Sequence, residues 1–365
     1  MTTLTSLSCA PVLIMAGGTG GHIFPGLAVA AELRQRGVPV VWLGAAGGLE
    51  TRLVPQAGIE LETLRIGGIR GKGWLTMLGA PLRILRAVYQ ACAVLRRVRP
   101  RSVLSMGGYA AGPGGIAAWL LRRPLLVHEQ NRIPGVTNRV LAKLSRKILC
   151  GFSDAFAHDA RALWVGNPVR REISEIAAPA TRFATRDGAP RLLILGGSLG
   201  AQALNTRVPQ ALARLASAQR PDVRHQCGTK HVDAARAAYS NAGVVATVEP
   251  FIADMAAAYA WADLVICRAG ALTVAELAAA GIGAVLVPFP FAVDDHQTRN
   301  GETLVAADAA LLLPESSASA ERIAEILGEL LPDRARLLAM ANAARTLAKP
   351  DAVVAIAHAC IEAGA

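Results

Sequence analysis

The sequence predicts an α/β protein built as two parallel-sheet domains facing a cleft. Three observations carry this expectation. Short apolar runs alternate with helix-like stretches, the alternation restarts past the middle of the chain, and three glycine clusters each join an apolar run to a helix-like stretch. With 365 residues and 53% hydrophobic content, the chain is long enough for two such domains with proper cores.

Taken in order, strands are expected at Val12–Ala16, Val38–Leu43, Ser102–Met106 and Leu125–His128, with helices such as Leu27–Arg36 and Ile116–Leu121 between them. The rhythm resumes after Gly166-Asn167-Pro168 with Arg191–Leu195, Val223–Gln226, Val244–Val248, Leu264–Cys267 and Ala284–Val287. A boundary near Leu163–Arg171 gives domains of residues 1–165 and 166–365. The alanine-rich end, Glu321 to Ile361, reads as helices, the last of which packs back on the first domain.

The formal charge of +11 is uneven, net +13 over residues 1–165 and −2 over 166–365. From Arg65 to Arg123 there are eleven basic residues and no acidic one. Within this stretch, Ile69–Val98 mixes arginines with Trp74, Leu75, Met77, Leu82, Leu85 and Tyr89, the composition of an amphipathic segment on an anionic membrane surface. An ordinary helix with an apolar stripe in the core has the same composition. With 4% aromatic residues and no recognisable binding signature, nucleic acid is not the expected partner.

No Lys or Arg occurs in the first ten residues, so no targeting segment is expected and the protein is placed in the cytoplasm. Ser102–Leu121 and Leu277–Val293 are uncharged, but glycines crowd the first and Gly281, Gly283, Pro288 and Pro290 break the second; both read as buried elements. The six cysteines lack CxxC pairs, which argues against a disulfide framework or a zinc site and fits a reducing compartment.

The glycine clusters are Ala16–Gly26, Gly107–Gly115 and Gly196–Asn205. Glycine lets a main chain turn at positive φ and approach a ligand, and the helix that follows offers unpaired N–H groups and the positive end of its dipole. These features imply a phosphate-handling enzyme. No Gly-Lys-Ser/Thr follows any cluster and the first lacks the last glycine of the dinucleotide fingerprint, so neither a P-loop ATPase nor a dehydrogenase is indicated.

Several polar residues lie at expected strand ends. His22 follows the first glycine loop, and imidazole, whose ordinary pKa is about 6.5, suits a base for an attacking hydroxyl. His128-Glu129-Gln130-Asn131 closes a strand. Cys267–Glu276 runs from strand to helix, where Glu276 is placed to accept bonds from both ribose hydroxyls of a nucleotide; Thr273 with Glu276 also has the spacing of a helix capping box. Asp294–Asn300 forms another polar cluster, in which Gln297 is the favoured reader of hydroxyls rather than Asp295 and His296 as acid–base groups.

GGTGGHIFPGLAVA, GGYAAGPGG, HEQNRIPGVTNRVLAK, GNPVR, GGSLGAQALN, PFIADMAAAYAWADLVICRAGALTVAELAAAG and VPFPFAVDDHQTRN, in this order from about Val12 to Leu313, resemble the MurG family of N-acetylglucosaminyltransferases. The resemblance implies a GT-B fold of two Rossmann-like domains. It implies an inverting transfer of GlcNAc from UDP-GlcNAc to the C4 hydroxyl of MurNAc in undecaprenyl-pyrophosphoryl-MurNAc-pentapeptide, giving lipid II, at the cytoplasmic face of the plasma membrane.

The first domain is then expected to bind the acceptor and the membrane, and the second the donor. Ile252 would pair with uracil beneath Phe251, Glu276 would hold the ribose and Ser198 would approach the phosphates. Asn131, Gln297 and the helix start Ala271, Leu272, Thr273, Val274 and Ala275 would address the donor. Thr19, Gly20 and Gly21 with Arg170 would line the reaction centre, and Tyr109, His128 and Glu129 would face the acceptor, with His22 the candidate base. Arg170 or Arg268 would offset charge on the departing nucleotide, and no metal or cofactor is expected.

Leu199, Ala269, Ala111 and Gly283 depart from the family's usual Gln, Ser, Ser and Pro, and alanine at 111 and 269 has no polar side-chain group to offer a phosphate. Two other readings stay open from the residues alone. One is a UDP-GlcNAc 2-epimerase on the same scaffold, and the other is a nucleotide-binding assembly protein of tubulin type, prompted by Gly17–Gly21.

Overall fold

The computed structural model describes residues 10–67, 80–197 and 200–364. Ser198, Leu199 and residues 69–79 of the basic stretch, all named above, lie outside the described residues.

Two all-parallel sheets organise the chain. The first contains β1 (Val12–Ala16), β2 (Val40–Ala45), β3 (Glu60–Leu64), β4 (Ser102–Gly107), β5 (Leu125–Glu129), β6 (Lys147–Cys150) and β7 (Ala162–Trp164), in the order β3-β2-β1-β4-β5-β6-β7. The second contains β8 (Arg191–Leu195), β9 (Asp222–Gln226), β10 (Thr247–Glu249), β11 (Leu264–Cys267), β12 (Gly283–Leu286) and β13 (Ala310–Leu312), in the order β10-β9-β8-β11-β12-β13. In each sheet the winding reverses beside the first strand, between β1 and β4 and between β8 and β11. This is the Rossmann-like arrangement, in which ligands bind outside the carboxyl ends of the strands at the reversal.

Why β1 forms there is plain from its residues. VLIMA is buried throughout, as a central parallel strand must be. Its side chains alternate between faces: Val12, Ile14 and Ala16 meet Trp42, Leu104 and Leu126, whereas Leu13 and Met15 meet Leu43, Val103 and Val127. The first face is covered by helices Gly20–Gln35 and Ala352–Ala363, the second by Ala80–Val98 and Ala111–Leu120. In the other sheet, Leu192, Ile194, Leu264 and Ile266 pack against Val208 and Leu212 of helix Gln202–Arg214 and Leu327 and Leu330 of helix Ala320–Leu330.

The chain forms two compact units, Met1–Pro168 joined by Asp351–Ala365, and Val169–Pro350. The last helix therefore belongs with the first sheet. Ile356, Ala357 and Cys360 sit in its core, and the Ser102 hydroxyl donates to the Cys360 carbonyl at 2.7 Å.

Some expected boundaries move. The helices expected from Leu27 and Ile116 begin at Gly20 and Ala111, inside the glycine clusters. Pro25 and Pro113 look like breaks in sequence, but Pro113 lies in a first turn, where a missing N–H costs nothing, and Pro25 gives up a single helical bond. The strand expected at Val244–Val248 starts only at Thr247, because the Val244 amide is used to close the preceding helix on Tyr239. Among the described residues, no helix is long and apolar enough to cross a membrane, and Cys92, Cys150, Cys227, Cys267 and Cys360 are buried free thiols.

Candidate active site

In the first unit, the loops after β1 and β4 meet at the winding reversal. Gly108 has φ +95°, and a Cβ on it would lie 2.4 Å from the Gly17 carbonyl oxygen, so main chain packs on main chain. Gly107, at φ +100°, leaves room for the His22 ring, which would be 3.1 Å from a Cβ there. Gly18, Thr19 and Gly21 are exposed and Gly20 and His22 half-buried. The Thr19 hydroxyl lies 3.3 Å from His22 Nδ1. Tyr109, half exposed, stands beside Gly18. The structure thus brings Thr19, Gly20, Gly21, His22 and Tyr109 together at one strand-end surface.

A carboxylate that the sequence reading missed shapes this loop. Glu50 is fully buried, and it accepts from the Gly18 amide at 3.2 Å and the Ala45 amide at 2.8 Å. Gly17, Gly44 and Gly48 make room for it, since a Cβ on any of them would come within 2.6 Å of the Glu50 side chain. The signal was present as a fourth glycine cluster, Gly44-Ala45-Ala46-Gly47-Gly48, running into an acidic residue.

His128 and Glu129, expected to face the acceptor, have buried side chains. His128 is fully buried; Gln130 Nε2 donates to its Nδ1 at 2.9 Å, so its Nε2–H donates to the Gly166 carbonyl at 3.0 Å. Burial lowers its pKa to about 4 and keeps it neutral. Glu129 is equally enclosed. Its Oε1 accepts from the main-chain and side-chain amides of Asn131, at 2.9 and 3.2 Å, and its Oε2 from Gly135 N and Asn138 Nδ2, both at 3.0 Å. Four donors compensate a buried charge, and the cost of desolvating it explains why they are recruited. Glu129 therefore holds the 129–138 turn in place and leaves Asn131, half-buried, as the member of this group near the surface.

In the second unit, the loop after β8 and the turn after β11 occupy the equivalent reversal. Gly200 packs so tightly that a Cβ would lie 2.4 Å from the Cys227 carbonyl. Helix Ala271–Ala280 begins after Gly270 with no side-chain cap. The capping-box reading of Thr273 and Glu276 is thereby excluded: Thr273 lies inside the first turn, and Glu276 turns to other partners. Tyr259 OH donates to Glu276 Oε2 at 3.0 Å and Arg170 Nη2 to Oε1 at 3.4 Å. Burial pushes the Glu276 carboxyl up from its ordinary range, while Arg170 and Tyr259 pull it back.

On the same side of this unit, Ile252 is buried beside the exposed Phe251, and Asp254 caps the next helix by accepting from Ala257 N at 2.8 Å. Ala271 and Val274 are buried, while Leu272, Thr273, Ala275 and Glu276 form a half-buried face. Gln297 Oε1 accepts from Phe289 N at 2.9 Å, which orients its amide. Arg268, offered with Arg170 as a candidate counter-charge, is engaged locally. It donates to the Val287 and Pro288 carbonyls, both at 3.1 Å, pairs with Glu315 at 2.5 Å and stacks on Phe289 at 5.5 Å. It is a strap for the turn after β12; Arg170, half exposed, is the cation at the surface. Among the described residues no cluster of three or more His, Cys, Asp or Glu could hold a metal ion.

The model of the glycosyltransferase family 28 N-terminal domain matches residues 12–150, and that of the family 28 C-terminal domain matches residues 191–356. The chain is 63% identical over 350 residues to the UDP-N-acetylglucosamine--N-acetylmuramyl-(pentapeptide) pyrophosphoryl-undecaprenol N-acetylglucosamine transferase of Xanthomonas campestris pv. campestris (strain 8004), covering 96% of this chain and 81% of that protein. It is 59% identical over 353 residues to the transferase of the same name from Xylella fastidiosa (strain M12), covering 96% of each. The crystal structure of Acinetobacter baumannii MurG superposes with a TM-score of 0.84 at 39% identity, covering 96% of this chain and 99% of that one. The two Rossmann-like units are thus those of a GT-B glycosyltransferase, and the chain belongs to glycosyltransferase family 28, within it to the MurG family.

Proposed function

We propose that this chain transfers N-acetylglucosamine from UDP-N-acetylglucosamine to the C4 hydroxyl of N-acetylmuramyl-(pentapeptide) pyrophosphoryl-undecaprenol, with inversion at the anomeric carbon. The observation that carries the reading is the Glu276 carboxylate at the second winding reversal, held in place by Tyr259 in a chain 63% identical to transferases of that name. A carboxylate fixed on the helix that follows β11 matches the adjacent hydroxyls of a ribose. Ile252, through its main chain beneath Phe251, reads the uracil, and the Ala271–Ala275 helix start and Gln297 address the sugar and diphosphate.

Charge building on the departing diphosphate is offset by the helix N-terminus, which is fixed before the reaction begins, and by Arg170. In the first unit, His22 takes the proton of the attacking hydroxyl. With Nδ1–H donating to Thr19 Oγ1, the lone pair lies on Nε2, where a base needs it. Glu129 acts at one remove, by shaping the turn that carries Asn131.

The chain works at the surface of a membrane. Helix Ala80–Val98 exposes Leu82, Leu85 and Tyr89, and the helix packed on it exposes Trp119 and Leu120, with Arg83, Arg86, Arg122 and Arg123 alongside. Large exposed apolar side chains beside arginines fit an anionic leaflet, where a lipid-linked acceptor is held.

The test is transfer of labelled GlcNAc to a short-chain analogue of the lipid acceptor, with UDP-glucose and UDP-GalNAc as controls. Selective product supports the reading. Binding of UDP-GlcNAc without any product removes the acceptor assignment.

A further inference from the structure

Tyr259 is among the largest fully buried side chains of the described residues, yet it carries a hydroxyl. A buried phenol needs a partner, and among the described residues this one has a single partner: its O–H donates to Glu276 Oε2 at 3.0 Å. The other carboxylate oxygen, Oε1, meets Arg170 at 3.4 Å through a side chain that is 48% exposed. The first bond is the shorter and comes from a phenol shielded from water, whereas the other is long and at the surface, where water and ligand compete for it. The carboxylate is thus fastened on its inner oxygen and exchangeable on its outer one.

We propose that Tyr259 is a positioning residue for ribose recognition, its hydroxyl fixing the plane of the Glu276 carboxylate so that the outer oxygen meets a nucleotide's ribose hydroxyls. The proposal rests on the reading of Glu276 as the ribose acceptor. Two adjacent hydroxyls need an acceptor with a set direction, and a glutamate with three rotatable bonds has none unless something holds it. Tyr259 stands on helix Met255–Trp261, whose cap Asp254 lies two residues after Ile252 and three after Phe251. The segment that reads the base therefore also anchors the group that reads the sugar, and the spacing between the two is set by one short capped helix.

The test compares the affinities of UDP and 2′-deoxy-UDP for the full chain, for Tyr259→Phe and for Glu276→Gln. The unaltered protein prefers UDP. Tyr259→Phe is expected to weaken UDP binding about tenfold, the worth of one hydrogen bond to a charged group, and to weaken 2′-deoxy-UDP far less, so that the preference shrinks toward that of Glu276→Gln. A merely structural role would weaken both ligands alike and leave their ratio untouched. An unchanged ratio in Tyr259→Phe beside a lost ratio in Glu276→Gln overturns the role of Tyr259 and leaves the ribose assignment standing. An unchanged ratio in Glu276→Gln removes the ribose assignment and this proposal with it. Should Tyr259→Phe fail to fold, p-aminophenylalanine at position 259 retains a donor, and it is expected to keep most of the preference; a ratio as low as that of Glu276→Gln overturns the proposal.

Discussion

Gly108 lies so close to Gly17 that a single methyl group on it would come within 2.4 Å of the Gly17 carbonyl oxygen. The loop that leads into the His22 helix and the loop that carries Tyr109 are locked by this contact of bare main chain. Gly108→Ala has nowhere to put its methyl and must also hold φ +95°, which a residue with a Cβ resists. It is expected to lower stability by roughly 2 kcal/mol and to abolish transfer while UDP binding persists. Urea unfolding and an acceptor-saturation assay check this; wild-type turnover would refute the locking of the loops.

Glu50 holds the same loop from beneath through the Gly18 and Ala45 amides. Glu50→Gln keeps the shape but presents an NH2 to one of two main-chain N–H donors. A loss of about 2 kcal/mol is expected, together with slower turnover at an unchanged KM for UDP-GlcNAc. A rise confined to the donor KM would contradict this placement.

Burial raises the pKa of Glu276, so its carboxylate is protonated at a higher pH than that of a solvated glutamate. Protonation removes an acceptor for the ribose. UDP affinity is therefore expected to fall as pH drops, beginning above the ordinary carboxylate range. Arg170→Ala removes a favourable charge and moves the fall to still higher pH, whereas Glu276→Gln abolishes it. Calorimetric titration with UDP from neutral to mildly acidic pH reads all three.

His128 and His225 are buried and neutral, with pKa values lowered by burial to about 4 and about 3. Both rise to the ordinary value of about 6.5 on unfolding, so the unfolded chain takes up protons that the folded chain refuses. Stability is full above that ordinary value and is lost as pH falls below it toward the folded values, by on the order of 3 kcal/mol for His128. Urea midpoints at decreasing pH are expected to fall. A fall of the same steepness in His128→Gln would show that His128 contributes none of it.

Leu82→Glu with Tyr89→Glu places two charges on the exposed apolar face of the basic helix. Co-sedimentation with vesicles containing anionic lipid is expected to drop at least tenfold, with activity on a soluble acceptor analogue retained. Undiminished binding would move the membrane face elsewhere.

What could be read in the sequence follows from where each residue's partners lie. β1, β8 and β11 are bounded as expected because each, after Arg191 in β8, is an unbroken apolar run buried on both faces. β3 was overlooked because Glu60-Leu61-Glu62-Thr63-Leu64 is half polar, as an edge strand tolerates, and β7 and β13 are only three residues long. The glycine clusters announced themselves through the positive φ they allow. His128 and Glu129 were legible as polar groups at a strand end but not as buried ones, since the atoms that satisfy them belong to Gly166, Gly135 and Asn138. Glu50 is hidden for a related reason: its partners are main-chain amides, which every residue but proline carries. Tyr259 was one hydroxyl in an alanine-rich helix, and only the fold shows what it touches.

Because the helix Ala352–Ala363 completes the core of the first sheet, the second unit is an insertion within the first. On the ribosome, residues 169–350 are all in hand before the first unit has its last helix. Until helix Ala352–Ala363 is made, the face around Val12, Ile14 and Leu104 is covered by helix Gly20–Gln35 alone. The core of the first unit is therefore complete only after all of the second unit has been made.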